Sequence, residues 1–174
     1  MRFSLLLPLA TLLFSSCAGY HVGPIKPKRM AKITTIAVPS FKNDTLLPRA
    51  EVLLANALIK QFQQDGTYKI VRENEADAIL QGHLEQIIRN PSRSVTGNVL
   101  LTREYILTLR CTYILTDRVT GEIIERRSAM GRTSFFVSGS DTIAADVTQD
   151  ERQALPLAAE DLAKEVVSHL SEGW

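Results

Sequence analysis

The segment from residue 105 to residue 116 alternates apolar and polar side chains with a period of two. Its apolar series is Tyr105, Leu107, Leu109, Cys111, Tyr113 and Leu115, and its polar series is Thr108, Arg110, Thr112 and Thr116. Successive side chains of a strand point to opposite faces, so this alternation predicts a strand with one buried and one wet face. We expect the Cys111 thiol to be a buried structural group. The chain must therefore cover one side of a sheet.

Two further segments of similar length flank this strand. Turn residues separate the three segments, Thr96-Gly97-Asn98 before the central strand and residues 117–121 after it. Such spacing predicts an antiparallel meander of strands over residues 78–89, 99–116 and 122–137. In the first strand the alternation predicts that Arg89 points to the wet face, opposite the apolar series Ala78, Leu80, Gly82, Leu84 and Ile88.

Two other segments carry apolar residues at helical spacing. The first helix is predicted over residues 48–64, with Pro48 in its first turn and Gly66 as its left-handed cap. The second is predicted from the capping-box pair Thr148 and Glu151, with a bend near Pro156. Their apolar stripes are Ala50, Leu54, Ala55, Leu58, Ile59 and Phe62, and Leu155, Ala159, Leu162, Val166 and Leu170.

Short β-branched runs at residues 33–38 and 68–71 bracket the first helix and predict two more strands. The element order is then β-α-β-β-β-β-α. We therefore predict an α+β fold in which two helices pack on one face of a small mixed, mostly antiparallel sheet of four to five strands.

The N-terminus resembles a bacterial lipoprotein signal. Arg2 precedes a short apolar run that ends in Phe14-Ser15-Ser16-Cys17, and such a run is too short to span a membrane. We expect residues 1–16 to be a signal peptide, residues 17–32 a lipidated N-terminus and linker that starts at Cys17, and residues 33–174 a single domain. An ordinary secretory cut after Ala18 is the alternative.

Composition and motifs exclude several functions. The formal net charge of +1 gives no global field for nucleic acid, so we expect no nucleic-acid partner. The sequence has no phosphate-binding glycine loop and no nucleophile motif, and its three histidines lack metal spacing. We therefore expect no enzyme activity, no metal and no cofactor.

Arginines concentrate on the predicted meander. A planar guanidinium can bind phosphate or carboxylate through two parallel hydrogen bonds. We predict that Arg93, Arg126, Arg127 and Arg132 contribute to an anion-binding surface. Ordinary solubilising charge is the alternative.

The order of several short motifs is similar to that of the LptE lipoproteins of lipopolysaccharide assembly. The motifs are Cys17-Ala18-Gly19-Tyr20, IAVPSFKNDT at residues 36–45, Glu51 before LLANALIKQF, the DRVTGE turn and the closing LAAEDLAKEVVSHL. The resemblance implies two helices against a sheet, a lipid anchor on Cys17 in the outer membrane, and a place inside the LptD β-barrel. There such a protein would plug the barrel, assist its assembly and bind lipopolysaccharide, the acidic cargo for the four arginines.

Curli-type secretion lipoproteins and activators of peptidoglycan synthases share a similar strand, helix and strand near the N-terminus. A synthase activator needs a linker that crosses the periplasm, whereas about 15 residues reach only ~50 Å when fully extended. The short linker favours a partner at the membrane, and the two classes remain the alternative function.

Overall fold

The computed structural model describes residues 26–93, 102–138 and 143–173, with side chains for residues 26–92, 104–136 and 150–173. In chain order the elements are β1 (Thr35–Ala37), β2 (Lys42–Asn43), α1 (Ala50–Asp65), β3 (Lys69–Ile70), β4 (Ala78–Arg93), β5 (Thr102–Asp117), β6 (Ile123–Ser138) and α2 (Ile143–Ser171).

The strands form one mixed sheet in the order β3-β1-β4-β5-β6, with β2 paired to β4. The three short strands run parallel to their neighbours, whereas β4, β5 and β6 form the predicted antiparallel meander. The predicted fold class is confirmed, with six strands instead of four to five. The additional strand is β2, whose two residues carry no alternation that sequence could reveal.

The apolar series of β5 forms the middle of the core. Leu107, Leu109, Cys111, Tyr113 and Leu115 are fully buried, as predicted, under the two helices. Burial raises the pKa of the Cys111 thiol to about 12, so the thiol stays protonated and unreactive.

A register shift in β4 between Leu84 and Gln86 changes which side chains face the helices. Glu85 is the extra residue of this bulge, and one extra residue inverts the alternation beyond it. Ile87 and Arg89 pair with Leu109 and Leu107 of the core-facing series. The prediction that put Ile88 on the apolar face and Arg89 on the wet face is therefore wrong.

Helix α1 buries the predicted stripe, including Leu54, Leu58 and Phe62, except for Ile59, which is half-buried. It ends as predicted at Gly66, whose φ of 74° gives the left-handed cap. Its start differs, because Arg49 adopts a left-handed conformation with φ 69° and the helix begins at Ala50. Pro48 therefore precedes the helix instead of occupying its first turn.

Helix α2 begins at Ile143, so Thr148 lies inside the helix and the predicted capping box is wrong. The helix continues through Pro156 and buries its predicted stripe. It crosses β6 at Gly131, where an added Cβ would collide with the Ala158 carbonyl oxygen and the Leu162 backbone nitrogen. The missing side chain is what lets the helix lie this close to the sheet.

Residues 26–32 pack onto the domain ahead of the predicted boundary at residue 33. Met30 is fully buried in the core. The Lys26 Nζ donates to the Ile33 carbonyl oxygen at 2.8 Å and lies 4.7 Å from the centroid of the Tyr68 ring. Arg29 pairs with Glu125 on β6. The packed structure thus starts no later than Lys26, and the predicted lipidation site at Cys17 lies outside the described residues.

Candidate functional site

The helices cover one face of the β4-β5-β6 meander, and its other face is open. On β5 and β6 the even-numbered residues point to this open face, because the odd-numbered ones point to the core. The open face therefore carries Arg110, Arg126 and Arg132, which are all exposed.

The four arginines predicted from sequence do not share one face. Arg126 and Arg132 lie on the open face, about 20 Å apart for six residues of extended strand. Arg127 is an odd-numbered residue of β6 and therefore lies on the core-facing side of the strand. The backbone of Arg93 pairs with Glu104 at the far end of β4, and its side chain lies outside the described residues. These four residues thus do not form one compact site.

Arg127 belongs to a charge cluster at one end of the core. Its Nε lies 3.0 Å from Glu125 Oε1, and Arg29 approaches the other oxygen of the same carboxylate. Glu125 is buried, so its charge depends on these two partners. The contact of Arg29 with Glu125 is an ion pair without directed hydrogen-bond geometry. Arg29 therefore joins the N-terminal turn to β6 through Glu125, and Arg127 on the same strand balances the charge of this carboxylate.

Next to this cluster the Tyr113 hydroxyl lies 2.9 Å from His169 Nδ1. Burial lowers the pKa of His169, and the positive charge of Arg127 lowers it further. Burial also raises the pKa of the Tyr113 hydroxyl. Both rings therefore remain neutral and join β5 to α2 through an uncharged hydrogen bond.

The arginines of the open face lack acidic partners. Within residues 26–92, 104–136 and 150–173, no carboxylate forms an ion pair with Arg110, Arg126 or Arg132. The Arg110 Nη2 lies 3.7 Å from the Met130 sulfur. An unpaired, exposed guanidinium keeps its full capacity for a phosphate or carboxylate.

Sequence reasoning counted Arg110 among the meander arginines but did not place it in the site. Arg110 pairs in register with Met130, and the neighbouring pair is Thr108 with Arg132. Arg110 and Arg132 are thus diagonal neighbours on one face. The alternation around Arg110 was visible in the sequence, but its neighbours depended on a register that was not.

A groove of about 570 Å³ lies on the open face near Arg126. Glu85, at the bulge, accepts a hydrogen bond from the Thr112 hydroxyl at 2.9 Å, and His83 Nδ1 lies 3.5 Å from Asp44 Oδ2. The residues that line its floor are Gln81, His83, Thr112, Ile114, Arg126 and Ser128. This groove gives the basic face a concave part.

A second groove, of about 660 Å³, straddles the edge of β4 beyond the bulge. The inverted alternation brings Arg89 to the helix side, where its Nε lies 2.7 Å from Glu151 Oε2. The loop at residues 44–47 forms the opposite wall. Sequence reasoning missed this pair because it put Arg89 on the wet face and gave Glu151 a capping role.

Among the described residues, no group of three or more histidine, cysteine or acidic side chains could hold a metal ion. The same part of the chain contains no helix with the length and apolar character needed to cross a bilayer.

The model of the LptE lipopolysaccharide-assembly family matches residues 33–170. The chain belongs to the LptE family. This match includes both helices' buried stripes and the whole meander, so the predicted resemblance is confirmed over nearly the entire packed domain.

Solved structures agree on the fold. A minor lipoprotein from Acinetobacter baumannii has 19% identity and a TM-score of 0.50, with 81% of this chain and 94% of that chain covered. A protein from Xanthomonas campestris has 14% identity and a TM-score of 0.50, with 80% and 85% covered. At these identities the likeness concerns the fold alone. None of the curated proteins compared with this LptE-family chain matches it.

Proposed function

We propose that this chain is a lipoprotein on the periplasmic side of the outer membrane that binds lipopolysaccharide on its way to the outer leaflet. In this proposal it acts as plug and assembly partner of an LptD-type β-barrel and catalyses no reaction. Membership of the lipopolysaccharide-assembly family supports the pathway.

The open face of the meander carries the proposal. Lipopolysaccharide bears phosphates and acidic sugars, and Arg110, Arg126 and Arg132 face outward without acidic partners among the described residues. Several guanidinium groups along about 20 Å of sheet suit a ligand with several separated anionic groups.

The plug role is supported by how the domain distributes its polar surface. Both helices bury their apolar stripes against one sheet face, so the opposite face is left with arginine, glutamine, threonine and serine between its apolar residues. Such a mixed face suits the water-filled lumen of a large barrel.

The tether supports a partner at the membrane. Only eight residues lie between Cys17 and Lys26, where the packed structure has begun, and this segment spans about 30 Å at full extension. Acylation of Cys17 with two or three chains such as palmitate would hold the domain at the membrane surface. A partner across the periplasm would lie beyond this reach.

Affinity purification of the tagged full-length protein in mild detergent tests the proposal. We expect one large β-barrel protein to copurify, with bound lipopolysaccharide. Copurification of a peptidoglycan synthase, or of a ring of identical copies without a barrel, would instead favour the alternative classes.

The anchor is tested separately with Cys17→Ala. Acyl chains and not the domain supply the proposed membrane affinity, so the variant should fold but leave the membrane fraction. Wild type should incorporate an alkyne fatty acid, and the variant should not. Absence of label in wild type would favour the ordinary secretory cut.

A further inference from the structure

The groove at the β4 edge contains a charge pair that is incompletely satisfied. Glu151 Oε2 pairs with Arg89 Nε, but Glu151 Oε1 is buried and receives no hydrogen bond from any described residue. The Glu151 side chain is only 7% exposed. A buried carboxylate oxygen without a donor is costly, so this position favours a ligand that brings a donor.

Arg89 offers the complementary capacity. Its side chain is 52% exposed, and its two η nitrogens have no acceptor among the described residues. Oε1 has almost no accessible surface, so a ligand donor reaches it from the groove only when the half-exposed Arg89 side chain shifts aside. The pair thus presents free donors next to a free acceptor.

The charge of the pair restricts the ligand. Arg89 and Glu151 neutralise each other, so a ligand with a strong net charge would be attracted by one residue and repelled by the other. A ligand with neighbouring groups that both donate and accept satisfies both residues at once. Vicinal hydroxyl groups of a sugar ring have this property.

Apolar side chains complete the groove. Leu46 is fully exposed, and Leu47 and Ile87 line the groove beside it. The loop that presents Leu46 is held by Asn43, whose Nδ2 donates to the Leu47 carbonyl oxygen at 2.8 Å and to Glu51 Oε2 at 2.7 Å. Its apolar surface is therefore preorganised for the C–H face of a ring.

We propose that this groove binds a saccharide through two neighbouring hydroxyl groups, one donating to Glu151 Oε1 and the other accepting from the Arg89 guanidinium. The groove volume of about 660 Å³ lies in the ordinary range for small-ligand sites. The identity of the sugar rests on the proposed function, in which it is a glycan part of lipopolysaccharide. The groove is distinct from the open face, which would bind the phosphates.

The experiment titrates the full-length protein in detergent with dephosphorylated core oligosaccharide from lipopolysaccharide, followed by saturation-transfer difference NMR and calorimetry. We expect wild type to bind. Glu151→Gln, which keeps the shape but removes the charged acceptor, should weaken binding about tenfold or more. Leu46→Ala should weaken it several-fold without disturbing the core, because this side chain is fully exposed.

Arg72→Gln is the matched control, since it removes an exposed basic residue that lies neither in the groove nor on the open face. It should leave binding of the dephosphorylated oligosaccharide unchanged. No binding by wild type, or equal binding by wild type, Glu151→Gln and Leu46→Ala, would overturn the saccharide site. Binding of inorganic phosphate that depends on Arg89 would also overturn it.

Intact lipopolysaccharide separates the two proposals. If wild type binds intact lipopolysaccharide but not the oligosaccharide, the groove inference fails and the proposed function stands. If wild type binds the oligosaccharide but not intact lipopolysaccharide, the groove is a saccharide site and the proposed function fails.

Discussion

At the scale of single residues, the packing of α2 on the sheet depends on the missing Cβ of one glycine. Gly131 lets α2 lie against β6, because a Cβ there would collide with backbone atoms of Ala158 and Leu162. Backbone atoms cannot move aside as the end of a flexible side chain can. The helix and the sheet must therefore separate if this residue gains a side chain.

We predict that Gly131→Ala lowers the free energy of unfolding by about 3 kcal/mol, at the upper end of ordinary overpacking. Urea denaturation followed by circular dichroism measures the change. Ser128→Ala on the exposed side of the same strand is the control and should change stability little. Wild-type stability of Gly131→Ala would show that the helix does not approach β6 this closely.

Asp77 connects the start of β4 to β1. Its Oδ2 accepts hydrogen bonds from the Thr34 backbone N–H at 2.9 Å, the Thr34 hydroxyl at 2.8 Å and the Thr35 backbone N–H at 2.9 Å. These hydrogen bonds lower the pKa of Asp77 from 3.8 to about 2. Because the folded pKa lies below the unfolded one, the contribution to stability is complete above pH about 5 and declines as the pH falls to 2.

We predict that Asp77→Asn is less stable than wild type at pH 6 and that this difference shrinks between pH 4 and pH 2. Thermal melts across this range measure it. A constant difference from pH 6 to pH 2 would show that the ionised carboxylate contributes nothing to these hydrogen bonds.

At the scale of elements, the exposed edge of β6 is satisfied by side chains of α2. Asp161 accepts from the Arg132 backbone N–H at 2.9 Å, and Glu165 accepts from the Met130 backbone N–H at 3.0 Å. The two acids are one helical turn apart and so match alternate residues of the strand. Unpaired strand edges are templates for association, and here the helix occupies this part of the edge.

We predict that Asp161→Leu and Glu165→Leu each lower stability by about 1 kcal/mol, because each leaves one backbone N–H without its acceptor. The double variant should also associate as its concentration rises, which size-exclusion chromatography with light scattering detects. Lys164→Ala, exposed on the same helix, should do neither. A monomeric double variant with wild-type stability would contradict this role.

The sequence predicted these elements where its pattern was long. The alternation of β5 and the stripes of α1 and α2 placed most of the core correctly, because burial in each case follows a regular period. The two-residue strand β2 escaped because it is too short to show a period. The bulge at Glu85 was not predicted, because one extra residue in a strand does not change its composition. The bulge turns the Arg89 side chain to the helix-covered face of the sheet.

The candidate site was less predictable for the same reason. The sequence identified the arginine-rich meander, but the grouping of its arginines depends on face and register. Arg126 and Arg132 share the open face with Arg110, whereas Arg127 engages Glu125. The groove at Arg89 and Glu151 forms because of the bulge in β4 and the early start of α2. A local sequence pattern predicts neither feature.

At the scale of the whole molecule, separate surfaces have separate tasks. The helix-covered face supplies stability, the open face of the meander supplies positive charge, and the N-terminal turn at residues 26–32 joins the domain to its proposed tether. In an LptE-family protein, this division would leave the basic face available to lipopolysaccharide while the anchor keeps the domain at the membrane.

The open face is tested most directly by lipopolysaccharide binding to the detergent-solubilised full-length protein at two salt concentrations. The triple variant Arg110→Gln, Arg126→Gln and Arg132→Gln should bind about tenfold or more weakly at low salt. Its affinity should also depend less on salt than that of wild type, because exposed ion pairs are screened. The control triple variant Arg72→Gln, Arg152→Gln and Lys164→Gln, with the same change in net charge, should bind like wild type. Equal binding by wild type and both triple variants, with the same salt dependence, would contradict the role of the open face.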